Sequence, residues 1–400
     1  NKSKNHSIPM SENTIMTMKQ LIVIGARDTG TSLTLVNQAL INQYSVVIII
    51  SDKELLKNVF SPEVTVVYLE KTQKTFLNWI NSHCDLSSIM VTCAHENYAV
   101  IAANICAELN LNGPSPEKIK LATSKVFQKK IFNQQHNNGF TVSIEEPVNE
   151  VKLSGSLNTL NYPLVIKPCK GSASLGVKKC HSKYDAIKHL NDLYEDYHQD
   201  QKMILTHEVI IEPYVQGREY CIEFFDGICV GVLQKFKQDG DEFFERGYTS
   251  ELNLEPIYIK PVIQKVSDII NKLGLDWGPV HVDSIINEHG YHIIEINPRI
   301  AGSFICQLVH DAYQFDIVTA LLNKLSDKPY CIPAKMQLSA LAYVNFILLS
   351  DPITWEITET SLLENEQINV ICGQQYSQER NRRAFIYTLL KHDGRAKDLT

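Results

Sequence analysis

The sequence contains little that would place the chain in a membrane, on a nucleic acid or in a fibrous assembly. Only 18 of its 400 residues are glycine and 15 are proline, which excludes a collagen-like or low-complexity chain. Apolar runs such as Val46 to Ile50 are far too short to span a bilayer. The polar start, residues 1–18, lacks the apolar core of a signal peptide. Basic residues form no long run, and the formal net charge is −7, so a nucleic-acid surface is not expected.

The cysteines and the overall composition are those of an ordinary globular protein. The ten cysteines include no C-x-x-C pair and no regular spacing, as a zinc site or a disulfide framework would require. We interpret them as reduced and mostly buried thiols, which predicts a cytoplasmic location. Hydrophobic residues make up 44% of the chain and charged residues 21%, a composition that provides for two or three domains.

The first part of the chain alternates predicted strands and helices. This pattern predicts a parallel α/β sheet, and residues 19–118 are expected to form a Rossmann-like domain. Gly25 and Gly30 have the spacing G-x-x-x-x-G, whereas a dinucleotide site has G-x-G-x-x-G, and no Lys-Ser/Thr pair follows them. A tight strand-to-helix turn is therefore favoured over nucleotide binding. The predicted strands cover 19–25, 45–50, 64–68 and 89–92, and the predicted helices cover 31–42 and 96–109.

The middle of the chain changes to an α+β pattern in which strands follow one another directly. An amphipathic helix is predicted over residues 117–135, and a second helix over 183–197. A strand at 162–167 ends in Lys167 and is followed by a loop of small residues. Further strands are predicted at 208–214, 219–225 and 230–236.

The most informative segment places three polar groups on one face of an apolar strand. Glu295, Asn297 and Arg299 are spaced by two, and side chains at that spacing share a strand face. Asp283 lies twelve residues before Glu295, and residues 287–290 are typical of a hairpin turn that would bring the two carboxylates together. Carboxylate and amide oxygens are the ligands that Mg²⁺ prefers. A plain core hairpin with polar edges is the alternative.

Asp283 and the Glu-x-Asn-Pro-Arg segment resemble the metal-binding end of the ATP-grasp superfamily. Biotin carboxylase, D-alanine–D-alanine ligase and the bacterial L-amino-acid (dipeptide) ligases belong to that superfamily. The resemblance extends in order over about residues 19–310. It implies an ATP-grasp fold in residues 119–330, with a lid lobe at about 125–210, and a small C-terminal subdomain at 331–400 with strands at 368–373 and 383–387.

The resemblance also implies which residues would hold ATP. Lys125 and Lys167 would bind phosphates; a solvated helix face and a solvated strand end are the respective alternatives. The loop 171–176 would bind phosphate oxygens through backbone N–H groups, since small side chains allow a close approach. Its contributing residues would be Gly171, Ser172, Ser174 and Gly176.

At the nucleoside end, the resemblance assigns the segment from Glu212 to Glu219. Glu212 would face the adenine amino group, the backbone at Tyr214 and Val215 would bond adenine, and Glu219 would accept from the ribose hydroxyls. A surface turn with solvated glutamates is the alternative. Glu208, Glu223 and His281 are interpreted as structural residues.

At the metal end, Asp283, Glu295 and Asn297 would bind Mg²⁺, with Mn²⁺ as an alternative ion. Arg299 would act in catalysis by contacting the transferred phosphate or the substrate carboxylate. Its alternative role is a salt bridge to Glu295 or Asp311.

These features predict an ATP-dependent ligase that joins a small carboxylate to an amine through an acyl phosphate and releases ADP and phosphate. The Gly-Ser-Ala-Ser-x-Gly loop favours the amino-acid and dipeptide ligase branch. A bicarbonate-activating carboxylase, a purine-biosynthesis ligase and a non-catalytic nucleotide-binding regulator are the alternatives. The sequence does not decide between a monomer and a homodimer. Neither nucleic acid nor a membrane is expected as a partner.

Overall fold

The structure is a computed structural model, and it combines the parallel α/β part and the antiparallel α+β part that the sequence predicts. It describes residues 18–27, 30–51, 60–132, 139–148, 155–171, 174–198, 206–237, 240–241, 243, 245–349, 368–376, 382–391 and 397–398. Among the described helices, none is long and apolar enough to cross a bilayer.

The N-terminal part is a four-stranded parallel sheet with helices around it. Its strand order is β3-β2-β1-β4, and Leu21 to Ile24 of the central strand are completely buried, as in a sheet covered on both faces. The turn predicted at Gly25 and Gly30 is confirmed at both ends, because β1 ends before Gly25 and α1 begins at Gly30. The elements are β1 Gln20–Ile24, α1 Gly30–Ile41, β2 Ser45–Ile50, β3 Val64–Tyr68, α2 Gln73–His83, β4 Ile89–Cys93, a 3-10 turn Glu96–Tyr98 and α3 Ala99–Glu108.

The single helix predicted over 117–135 is two helices, α4 Pro116–Ala122 and α5 Lys125–Phe132. Side-chain bonds of two residues mark the break between them. The Thr123 hydroxyl donates to the Ile119 carbonyl at 3.0 Å, and the Ser124 hydroxyl accepts from the Phe127 N–H at 3.3 Å, as a helix cap does. Lys125 therefore stands at the first position of α5.

A second, antiparallel sheet of order β5-β8-β6-β7 lies at the segment for which the sequence predicts a lid lobe. Leu164 and Ile166 of its strand β6 are fully buried against helix α6, so the alternating side chain of Lys167 projects from the opposite face. The elements are β5 Phe140–Ser143, β6 Leu164–Pro168, β7 Lys178–Cys180, α6 Lys183–His198 and β8 Glu208–Pro213.

The largest sheet is antiparallel and has eight strands in the order β13-β12-β9-β10-β11-β15-β17-β16. Strands after residue 339 therefore continue the same sheet as the Glu-x-Asn-Pro-Arg strand, β13. Two short strands, β14 Gln337–Leu338 and β18 Lys397–Asp398, pair separately. The remaining elements are β9 Arg218–Phe225, β10 Ile228–Lys237, β11 Glu245–Thr249, α7 Pro256–Leu273, β12 Pro279–Asn287, β13 Gly290–Asn297, α8 Ile305–Tyr313, α9 Ile317–Leu325, β15 Ala340–Leu349, β16 Ile368–Tyr376 and β17 Arg382–Lys391.

The register of this sheet gathers polar side chains on one face. The predicted hairpin is confirmed, because Asn287 pairs with Gly290 and Asp283 lies opposite Glu295. On its other side Asp283 lies opposite Cys221 of β9. Directly opposed residues in an antiparallel pair present their side chains on the same face. The adjacent row on that face holds Asn297, His281 and Glu223.

Candidate active site

A cleft of about 710 Å³ lies between the β5-β8-β6-β7 sheet, the polar face of the eight-stranded sheet and the N-terminal sheet. Eight Lys or Arg residues and six Asp or Glu residues line it, although the whole chain carries a formal net charge of −7. Positive charge is therefore concentrated in the cleft of an acidic protein. Such a distribution favours a polyanionic ligand.

Lys167 projects from β6 into the cleft and is paired with Glu212, the first residue of the predicted nucleoside segment. Its Nζ is 2.6 Å from Oε1 of Glu212, and Nζ of Lys129 is 3.7 Å from Oε2 of the same carboxylate. Burial by itself would lower the pKa of Lys167, but the neighbouring Glu212 carboxylate raises it, so the ammonium stays charged. Lys167 is thus a fixed cation in the cleft wall and not a solvated strand-end lysine.

Lys125 contacts both the loop 171–176 and strand β13, which carries Glu295. Its Nζ is 3.4 Å from Oε2 of Glu295 and donates to the Gly171 carbonyl at 3.4 Å. Burial would raise the pKa of Glu295, but Lys125 lowers it, so the carboxylate is ionised. The structure therefore brings together three elements that the sequence assigns to phosphate and metal binding.

The described residues of the loop combine open space with unusual backbone angles. Gly171 has φ +141°, and apart from its chain neighbours no described residue lies within 4 Å of the point that a Cβ would occupy. Ser174 has φ +58°. Both residues line the cleft. Gly176 has φ +71°, and its carbonyl is bonded to His189 Nε2 at 2.9 Å, behind the cleft wall. Ser172 lies outside the described residues.

The predicted nucleoside end also lines the cleft, and it includes partners that the sequence does not indicate. Tyr214 and Val215 face the cleft, but the Tyr214 N–H donates to the Pro163 carbonyl at 2.8 Å, so this donor is already used. Nζ of Lys179 lies 4.0 Å from the centroid of the Tyr214 ring. Glu219 forms an ion pair with Lys237.

The donor set at Glu295 and Asn297 suits a hard cation. Nδ2 of Asn297 donates to Oε1 of Glu295 at 3.0 Å, so the amide of Asn297 lies beside the carboxylate. One carboxylate and one amide oxygen on a shared strand face are ligands of the kind that Mg²⁺ and Mn²⁺ accept. Asp283 faces the same cleft, but its oxygens contact side chains of the protein.

A buried ionic network around Asp283 is not predicted by the sequence. Nζ of Lys235 is 2.9 Å from Oδ1 of Asp283, and His281 Nε2 is 3.4 Å from Oδ2. His281 also bonds Glu223 Oε1 through Nδ1 at 2.6 Å. Burial would lower the pKa of His281, but the carboxylates of Glu223 and Asp283 outweigh it and raise the pKa to about 10. His281 is thus a charged residue in the floor of the cleft, and Glu223 bonds it from behind that floor.

Arg299 connects the site to the N-terminal sheet. Its Nη2 forms an ion pair with Glu96, and its Nη1 donates to the Ile300 carbonyl at 2.8 Å. The sequence suggests Glu295 or Asp311 as the salt-bridge partner, whereas the partner in the structure is Glu96. The buried Nε of Arg299 has no hydrogen-bond partner among the described residues.

His95 lines the cleft beside Glu96 and is a neutral base. It is 6% exposed, and its Nδ1 accepts from the Asn97 N–H at 3.3 Å, which caps the 3-10 turn. Burial is the main cause that lowers the pKa of His95 to about 4. Its ring contacts the Tyr98 ring edge-on at 5.9 Å.

Comparison with known proteins confirms the resemblance. Residues 160–307 match the protein-family model described as ATP-grasp domain. A D-alanine–D-alanine ligase of Pediococcus pentosaceus is 25% identical over 146 residues, which cover 34% of this chain and 38% of the ligase. The chain spans about half the length, or less, of the curated relatives it matches.

Two solved structures share the fold over almost the whole chain. An L-amino acid ligase from Bacillus licheniformis has a TM-score of 0.69 at 16% identity and covers 94% of this chain and 95% of its own. The biotin carboxylase domain of a Hydrogenobacter thermophilus 2-oxoglutarate carboxylase, in complex with MgADP and bicarbonate, has a TM-score of 0.66 at 12% identity. It covers 94% of this chain and 87% of its own. The ATP-grasp fold predicted from the sequence is therefore confirmed.

Proposed function

We propose that this chain, whose residues 160–307 match the ATP-grasp domain, is an ATP-dependent ligase that joins the carboxylate of an amino acid to an amine. The reaction proceeds through an acyl phosphate and releases ADP and phosphate. The Gly-Ser-Ala-Ser-x-Gly loop supports this choice of branch, while the similarity in fold to an amino acid ligase over 94% of the chain supports the ATP-grasp fold that the branch shares with carboxylases.

The observation that carries the proposal is the buried Nε–H of Arg299. A buried donor without an acceptor destabilises a protein by about 1–3 kcal/mol, so such a group is expected where a ligand supplies the acceptor. Arg299 lies two residues beyond Asn297 and lines the same cleft. An anionic oxygen bound there would lie beside the metal ligands, where a phosphoryl group must meet a carboxylate.

The remaining residues have roles that follow from their charge and position. Lys167, Lys125 and the loop at Gly171 bind the triphosphate, since positioning and electrostatics dominate phosphoryl transfer. Glu295 and Asn297 hold Mg²⁺ or Mn²⁺, which would neutralise charge on the phosphate oxygens. Tyr214, Val215 and Glu219 form the nucleoside end.

The chemistry consists of two substitutions. A carboxylate oxygen attacks the γ-phosphorus of ATP, the bond to the β-phosphate oxygen breaks, and ADP leaves. The resulting acyl phosphate is a better electrophile than the carboxylate. The neutral amine then attacks its carbonyl carbon, phosphate leaves with the former carboxylate oxygen, and the nitrogen loses a proton. Arg299 contacts the oxygens that carry the developing charge.

ADP and phosphate release measured over pairs of amino acids and small amines tests the proposal. The substrate carboxylate is labelled with oxygen-18, and the label is expected in the released phosphate. Glu295→Gln is the matched inactive control, since it keeps the shape of the side chain and removes the charge. Release of AMP and pyrophosphate would contradict the acyl-phosphate route. Turnover with bicarbonate and without an amino acid would indicate a carboxylase, and absence of turnover with nucleotide binding would indicate a regulator.

A further inference from the structure

The carboxylate of Asp283 is already surrounded by donors from the protein. Oδ1 of Asp283 lies 2.9 Å from the ammonium of Lys235 and accepts from the Cys221 thiol at 3.3 Å. Oδ2 lies 3.4 Å from Nε2 of His281. Both carboxylate oxygens of Asp283, which could ligate a metal ion, therefore already contact protein side chains.

Lys235 is held in place and is not a mobile surface lysine. Its side chain is 8% exposed, and it contacts a second carboxylate, Glu245, at 3.5 Å. It projects from β10, an inner strand of the eight-stranded sheet, and its ammonium lies 6.0 Å from the centroid of the Tyr248 ring. Withdrawing this ammonium would leave two carboxylates in a buried site without their shared cation.

Glu295, which lies opposite Asp283 on the neighbouring strand, has a different cation partner. Glu295 and Asn297 provide carboxylate and amide oxygens, and the cation beside Glu295 is Lys125, at the first position of a helix outside the sheet. The Lys125 side chain is 23% exposed, and its other bond, to the Gly171 carbonyl, goes to the phosphate-binding loop. Lys125 can therefore move to a phosphate oxygen and leave Glu295 to a metal ion, whereas Lys235 cannot leave Asp283 in the same way.

We propose that Lys235 is a built-in cation that takes the place of a second divalent ion at Asp283. The nucleotide complex then holds one divalent ion, at Glu295 and Asn297, and the Lys235 ammonium supplies the other positive charge that faces the phosphates. This inference rests on the proposed nucleotide binding. A divalent ion at Asp283 would lie within a few ångströms of a buried ammonium, and like charges repel strongly at that distance where burial limits screening by water.

Counting bound Mn²⁺ by electron paramagnetic resonance tests this proposal without an activity measurement. The full chain is titrated with Mn²⁺ in the presence of one equivalent of a non-hydrolysable ATP analogue. The wild type and Lys235→Arg are expected to bind one Mn²⁺ per chain. Lys235→Met is expected to bind two, because Oδ1 of Asp283 loses its ammonium partner, whereas His281 contacts only Oδ2. Lys235→Met combined with Asp283→Asn should return to one, and Lys237→Met, which alters the next cation on β10, should remain at one.

The outcomes separate this inference from the proposed function. Two ions in the wild type, or one ion in a folded Lys235→Met, would overturn the role of Lys235. Absence of Mn²⁺–nucleotide binding in every protein would instead overturn the proposed nucleotide site. If Lys235→Met does not fold, Asp283→Asn alone decides. Loss of a metal ligand would weaken Mn²⁺ binding by at least about tenfold. A decrease of that size in the Mn²⁺ affinity of Asp283→Asn would refute the inference. An unchanged Mn²⁺ affinity supports it.

Discussion

Replacing His95 with asparagine should make the protein less sensitive to acid. His95 is buried as a neutral base whose Nδ1 caps the turn at Asn97. Burial lowers its pKa from 6.5 to about 4, with Arg27 and Arg299 adding to the effect and Glu96 opposing it. Asparagine offers an acceptor oxygen to the same N–H but does not titrate. The substitution therefore removes the protonation and keeps the cap.

The sign and size of the effect follow from linkage. Between pH 6.5 and pH 4 the unfolded chain binds a proton at His95 that the folded chain does not bind, so the free energy of unfolding falls as the pH falls. For these two pKa values the loss between pH 8 and pH 5 is about 2 kcal/mol. His95→Asn should lack this part of the acid destabilisation, and its stability relative to the wild type should rise by about 2 kcal/mol over that interval.

Urea unfolding followed by circular dichroism at pH 8 and at pH 5 measures this difference. His289→Asn is a matched control, because the His289 side chain is 84% exposed in the turn between β12 and β13. That control should retain the pH dependence of the wild type. If His95→Asn and the wild type lose equal stability between the two pH values, His95 is not held neutral by burial, and the reasoning fails.

Further predictions concern the nucleotide and the substrate. Lys167→Ala should weaken ATP binding by one to two orders of magnitude, because a charged hydrogen bond of roughly 1.5–3 kcal/mol is lost. Calorimetry measures the ATP affinity, and an unchanged affinity would show that the Lys167–Glu212 pair is only structural. Arg299→Ala should lower kcat far more than it changes ATP affinity, because its contact matters most in the transition state, and steady-state kinetics with nucleotide titration separates the two. An equal loss in both would place Arg299 in ground-state binding.

The sequence predicts those parts of the site that lie on one strand or on adjacent segments. The spacing of two places Glu295, Asn297 and Arg299 together, and the hairpin signal at 287–290 places Asp283 opposite Glu295. Lys235 and Lys237 on β10 have the same spacing of two. That spacing is the local signal from which a second polar face could have been predicted.

Other features could not be obtained from local pattern. Glu96 is 203 residues away from Arg299 in sequence, and only the tertiary fold brings the turn after β4 to the segment that follows β13. Helices α2, α7, α8 and α9 were not predicted. In α7, Pro261 interrupts the helical signal near the start, although its buried residues Ile259, Val262 and Val266 recur at helical spacing. The two-helix break before Lys125 depends on the Thr123 and Ser124 side chains, which a periodicity argument does not weigh.

The contacts between the N-terminal sheet and the segment after β13 limit how this protein could be recombined. The Thr31 N–H donates to the Ser303 carbonyl at 2.7 Å, and Gly30 has no room for a side chain there, since an added Cβ would lie 2.3 Å from that carbonyl oxygen. A chimera that received its first hundred residues from a relative would keep both contacts only if the relative has a residue without Cβ at position 30 and a carboxylate at position 96. An exchange of the Rossmann-like part must therefore match residues 299–303 to those two positions.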